Sequence, residues 1–120
     1  MTHDPQVIAR HSTPPAVAAS DVCRQAVTEL EEALRLPPKE LGEEVDQAER
    51  TVVRLRDRLI GRLRQDAAAA EAPRWRAALD RVNAALSLIV GVEYPAAGLQ
   101  RSSLEQARDT LKAVLAEGLP

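Results

Sequence analysis

Apolar positions along this chain fall into four stripes. They read Cys23-Val27-Leu30-Leu34, Leu41-Val45-Ala48-Val52-Leu55-Leu59, Trp75-Leu79-Val82-Leu86-Ile89 and Leu104-Ala107-Leu111-Val114. Each steps by three or four residues, the repeat that keeps side chains on one side of an α-helix. The stripes are separated by Leu36-Pro37-Pro38, Glu71-Ala72-Pro73 and Tyr94-Pro95-Ala96-Ala97-Gly98. Proline pushes its preceding residue out of the helical region, so these are breaks. No alternating β-branched run and no Asn-Gly turn signal suggests a strand. Four helices with short connections predict an all-α, antiparallel up-down four-helix bundle. The nearest variant is two helical hairpins that assemble as a dimer.

The helix ends carry their own signals. Residues 1–11 are polar and unpatterned and predict a mobile N-terminal tail, with 12–120 as a single helical-bundle domain. Ser12-Thr13-Pro14-Pro15 is one entrance to the first helix and Ser20-Asp21 a competing one, since a hydroxyl or carboxylate can cap the first turn. The second helix is expected from about Pro38 to about Ala70, with the Ala67–Ala70 run as its tail. Its first turns hold Glu40, Glu43, Glu44 and Asp46; its last hold Arg54, Arg56, Arg58, Arg62 and Arg64. Acid first and base last complements the helix dipole, and Asp46 and Arg50 stand at i, i+4. The third helix is expected from about Pro73 to Val92. The fourth opens on Ser102 and Glu105, a capping-box pair, and closes at Gly118.

The second stripe is wider than the others. Val53, Ile60 and Leu63 lie off its main seam; Leu88 and Val90 widen the third in the same way. A wide apolar face marks either a central helix or a second surface that meets another chain. A thirty-residue second helix would also reach about 45 Å against about 30 Å for the third. The overhang near Leu59–Leu63 would then need a partner. Gly61, costing about 1 kcal/mol in a helix interior, fits a close helix crossing or a contact between copies.

Composition sharpens this picture. The chain has 120 residues, enough for one core. It has no Phe, one Trp, one Tyr and one Met, so its core must be Leu, Val, Ile and Ala. Alanine lets helices close up but buries little area, which leaves room for self-association to add burial. Sixteen Lys and Arg against eighteen Asp and Glu give a net charge of −2. That is no overall field for nucleic acid or an acidic membrane surface. Lys39 and Lys112 are the only lysines, a bias that, with abundant Ala, suggests a GC-rich, bacterial-like genome. Cys23 is alone, so no intramolecular disulfide can form, which fits a reducing cytoplasm. His3, Asp4, Arg10 and His11 interrupt any apolar signal segment, and the longest apolar run is far short of a membrane span.

The candidate chemistry is sparse. Arg50, Arg54, Arg58 and Arg62 form one ridge, widened by Arg56 and Arg64. The ridge could contact an anion or nucleic acid. No aromatic residues interleave it for base stacking, and the segment 29–49 offers eight acids as internal or second-copy partners. The reading favours a solvated face that pairs with acids. The carboxylate pairs Glu29/Glu32 and Glu43/Asp46 each stand at i, i+3, and paired carboxylates on facing helices can hold Mg²⁺. This arrangement resembles the all-α nucleotide pyrophosphohydrolases of the MazG kind, which carry Glu-Glu-x-x-Glu and Glu-x-x-Asp runs on two helices. That resemblance implies a Mg²⁺-dependent nucleotide hydrolase using Glu29, Glu32, Glu43 and Asp46. Here the first run lacks its leading pair, Glu31 is out of register, and only ten residues separate the two pairs. Both pairs also lie off the apolar stripe, so solvated acidic faces are expected instead, with no metal and no cofactor. No predicted helix carries a His, which removes a di-iron Glu-x-x-His site and a phosphotransfer histidine. Cys23 sits on the stripe as a small hydrophobe without an activating base. Trp75 is expected as a core anchor, with an interface anchor as the alternative. The Tyr94–Gly98 loop reads as a connector or a recognition loop.

The resulting expectation is a small non-enzymatic interaction module, self-associating as a homodimer or meeting a helical partner. Its surface would centre on Val53, Ile60, Leu63, Arg54, Arg58, Arg62 and Trp75.

Overall fold

A computed structural model of the chain describes residues 18–37, 40–91 and 99–120, with the backbone alone for Leu99 and Gln100. Four helices account for nearly all of them: α1 (Ala19–Leu34), α2 (Leu41–Gln65), α3 (Ala72–Val90) and α4 (Leu99–Glu117). Among the described residues there is no strand. Contacts run α1 to α2, α2 to α3, α3 to α4 and α4 back to α1, so the helices close a four-membered ring around one core.

That core is the one the stripes anticipate. Leu30, Val52, Leu55, Leu59, Val82, Ile89, Leu104, Leu111 and Val114 are all shielded from solvent. Burying a Leu, Val or Ile is worth about 1.5–3 kcal/mol each, so these positions are a large favourable term in folding. The third stripe is shifted. Trp75, Ala78, Val82, Ala85 and Ile89 point inward, while Leu79 and Leu86 are half-buried. Alternating steps of three and four pass through the alanines, whose small side chains let α3 sit close to its neighbours. The leucines one position on flank that seam and cover its edge.

Several helix boundaries differ from expectation, each for a local reason. α1 begins at Ala19 with Ala18 as N-cap and no side-chain cap, so Ser20 and Asp21 lie inside the first turn. Asp21 pairs there with Arg24 at 2.7 Å. The Ser12–Pro15 entrance, both histidines and the expected tail fall outside the described residues. α2 starts at Leu41, whose buried side chain draws the first turn onto the core; Pro38 is outside the described residues.

α2 ends at Gln65 and not at Ala70. Residues 67–71 are turns, with Ala69 N–H donating to Asp66 O and Ala72 N–H to Ala69 O, each at 3.0 Å. Alanine's helical preference is a few tenths of a kcal/mol per residue. Reversing the chain so that Ala72 and Trp75 become buried outweighs it. α2 is therefore 25 residues against 19 for α3, and the expected overhang shrinks to about 9 Å. α3 starts at Ala72 with Pro73 in its first turn and is followed by Gly91; Val92 and the Tyr94–Gly98 loop fall outside the described residues.

α4 starts at Leu99, a turn before the expected Ser102 cap. The additional turn holds Arg101, which donates to the carbonyls of Leu34 and, at 3.5 Å, Leu36 at the end of α1. Those orphan helix-end carbonyls gain a charged donor, so α4 is extended by a tertiary contact that no cap signal encodes. Its other end is as expected: Gly118 adopts φ 97, the left-handed conformation a helix-terminating glycine allows.

Candidate interaction surface

The residues expected to form a surface lie on α2 and on the first turn of α3. Val53, Ile60 and Leu63 are half-buried, so the chain itself covers part of the wide face. Val90 on α3 is the one large apolar side chain that is exposed among the described residues. No broad apolar patch is therefore left open by the residues the structure describes. Among the described residues nothing lies within 4 Å of a Cβ placed at Gly61, so none of the four helices crosses close to it.

The arginine ridge is occupied unevenly. Arg50 donates to Gln47 Oε1 at 2.9 Å and Arg54 to Gln25 Oε1 at 3.4 Å, so both meet neutral amides. The expected Asp46 partnership of Arg50 gives way to Gln47, three residues back and nearer α1. Arg58 is half-buried. Arg56 pairs with its chain neighbour Asp57 at 3.3 Å. Arg62 is committed at the α2 end: it pairs with Asp66 Oδ2 at 3.1 Å and lies over the Trp75 ring, 5.0 Å from its centroid. Such a cation–π contact is worth about 0.5–1 kcal/mol at an exposed site. Trp75 is buried, yet together with Ala72 it stands apart from the contiguous core cluster. It plugs the α2–α3 corner beneath Arg62.

The four candidate metal carboxylates are not gathered. Glu32, Glu43 and Asp46 are exposed, and Glu29 is half-buried. What faces Glu29 from α2 is Gln47, not an acid: Gln47 Nε2 donates to Glu29 Oε2 at 3.4 Å, and Gln25 Nε2 to the same oxygen at 3.0 Å. Glu29 Oε1 is shut from solvent and accepts no hydrogen bond from the described residues. Among the described residues no three His, Cys, Asp or Glu side chains lie together as a metal-binding group. The amide-rich α1–α2 seam was legible only in hindsight: Gln25, Glu29 and Gln47 are polar residues at helical spacing beside a buried stripe, a pattern shared by any seam flank.

Cys23 is fully buried and its thiol donates to the Leu111 carbonyl of α4 at 3.4 Å. Burial pushes the thiol up from 9.0 to about 11, against a smaller lowering by Arg24. A thiol so held is a poor nucleophile at neutral pH. The folded protein is expected to react slowly with Ellman's reagent at pH 8 and fully once unfolded in urea. Fast labelling of the folded chain would contradict the burial. Because the folded form holds this proton more tightly, the thiol's contribution to stability is intact below pH 9 and is lost as pH rises from 9 towards 11.

Charged contacts tie the helix ends together. Arg81 pairs with the Glu117 carboxylate, and Arg74 donates to the Glu117 carbonyl at 3.4 Å. No helix among the described residues is long and apolar enough to cross a membrane. No protein-family model, curated protein or solved structure matches this chain.

Proposed function

We propose that this protein is a non-enzymatic helical interaction module that self-associates as a homodimer through the C-terminal half of α2. The observation that carries the reading is the contrast along that helix. Its inward face is closed by the bundle, while the flank that holds Glu49, Val53, Arg56, Asp57, Ile60 and Arg64 carries both signs of charge beside half-buried aliphatic side chains. An up-down order of the helices is supported by contacts that join one helix's end to a neighbour's start: Arg62 with Trp75, the Glu117 carbonyl with Arg74, and Leu34 with Arg101. A single thiol suits a reducing compartment such as the cytoplasm.

The test uses light scattering at tens of micromolar on the wild-type chain and on Ile60→Glu. The wild type is expected to weigh more than one chain of 13.1 kDa. Ile60→Glu is expected to weigh one chain while keeping its helical circular dichroism. A wild type that stays at one chain's mass removes self-association. A variant that still assembles removes this face.

A further inference from the structure

The outer flank of α2 has an internal symmetry. At 3.6 residues per turn, Glu49, Val53, Arg56, Asp57, Ile60 and Arg64 share an arc about 100° wide. Their spacing is palindromic, four-three-one-three-four, and their chemistry is complementary about the same centre: acid, aliphatic and base on one side, then acid, aliphatic and base on the other, so that each acid mirrors a base. Asp57 and Arg64 are exposed, and the other four are half-buried. Within the chain this flank's one ion pair between its own members is Arg56 with its neighbour Asp57. An exposed pair of that kind is worth at most about 1 kcal/mol, so exchanging it for an intermolecular one costs little.

We infer that this flank docks on the same flank of a second copy, with the two α2 helices antiparallel and the two-fold axis passing between Arg56 and Asp57. The inference rests on the self-association reading above and specifies its geometry. Every position then meets a complementary one. Arg56 faces Asp57 of the second copy, Val53 faces Ile60, and Glu49 faces Arg64; the two-fold repeats each contact, as an isologous interface requires. Other arrangements fail on the same residues. A parallel pair sets Glu49 against Glu49 and Arg64 against Arg64. Sliding the antiparallel pair by one turn sets Val53 against Arg56 or Arg64. Gly61 borders the arc with open space over its Cα, which permits close approach of the second helix. Charge thus selects register and orientation, while four aliphatic side chains supply a small apolar centre, so the dimer is weak and exchanging.

The test is a charge swap read by sedimentation equilibrium. Glu49→Arg and Arg64→Glu, each alone, place like charges opposite one another twice per dimer. Each is expected to weaken the dimer about tenfold or more. Mixing the two variants restores opposite charges at both contacts, so a heterodimer of wild-type affinity is expected. Weakening of each variant alone, followed by recovery on mixing, identifies the antiparallel pair, because in a parallel pair each swap only trades one like-charge contact for another. If the wild type dimerises but neither variant weakens it, or the mixture does not recover, the geometry is wrong and the dimer uses another face. If the wild type itself stays monomeric, the self-association reading fails with it.

Discussion

Leu55→Ala is expected to lower the unfolding free energy by about 3 kcal/mol, the mid-range for emptying a fully buried leucine site. Leu55 is at the middle of α2 and has no solvent exposure. Truncation forfeits the transfer free energy of the lost carbons and leaves a cavity that close-packed helices fill only in part. The effect is large here because the core contains no phenylalanine and leans on a few leucines and valines for volume. The control is Ile60→Ala, five residues on and half-buried, expected to cost under about half as much in the monomer since its site is open to solvent on one side. Urea titrations at equal protein concentration check both. Equal midpoint shifts for the two variants would mean that the inward face of α2 is wrongly assigned.

Ala107→Leu should be the next most damaging change, for the opposite reason. Ala26, Ala33, Ala48, Ala85 and Ala107 are all fully buried, with at least one on every helix. Such positions set how closely the helices approach. Adding an isobutyl group in place of a methyl forces α4 away from its neighbours or drives the new side chain off-rotamer, at about 1–3 kcal/mol. The displacement would strain the Cys23 contact to the Leu111 carbonyl, one turn further along α4. The expected result is a fall in Tm of about 10 °C, with Cys23 becoming reactive at lower temperature. An unchanged Tm would show that the alanines are not the spacing element.

The bundle was legible from the stripes because helical burial leaves a three-four spacing that no strand produces. Its Leu-weighted reading erred at α3, where Ala78 and Ala85 occupy the seam and Leu79 and Leu86 flank it. Hydrophobicity ranks leucine above alanine, but close helix packing selects by size. Helix ends were least legible. α2 stops before its alanine run because burial of Trp75 requires a turn, and α4 starts before its capping box because Arg101 reaches the end of α1. Both decisions belong to tertiary contacts that lie far apart in sequence. The candidate surface residues of α2 lie on one helix, as their spacing implies, but no sequence signal ties Arg62 to Asp66 and Trp75. Of the hydrolase-like carboxylates, Glu29 faces Gln47 across the seam while Glu32, Glu43 and Asp46 are exposed; their spacing along the chain does not encode which residue lies opposite them.

The central claim is that α2 offers its outer flank to a second copy of this chain. Sedimentation equilibrium of the wild-type protein over a rising concentration series tests it most directly. The account predicts a weight-average mass that climbs from one chain of 13.1 kDa towards two, described by a single monomer–dimer constant. A mass that stays at one chain up to the highest soluble concentration would contradict it.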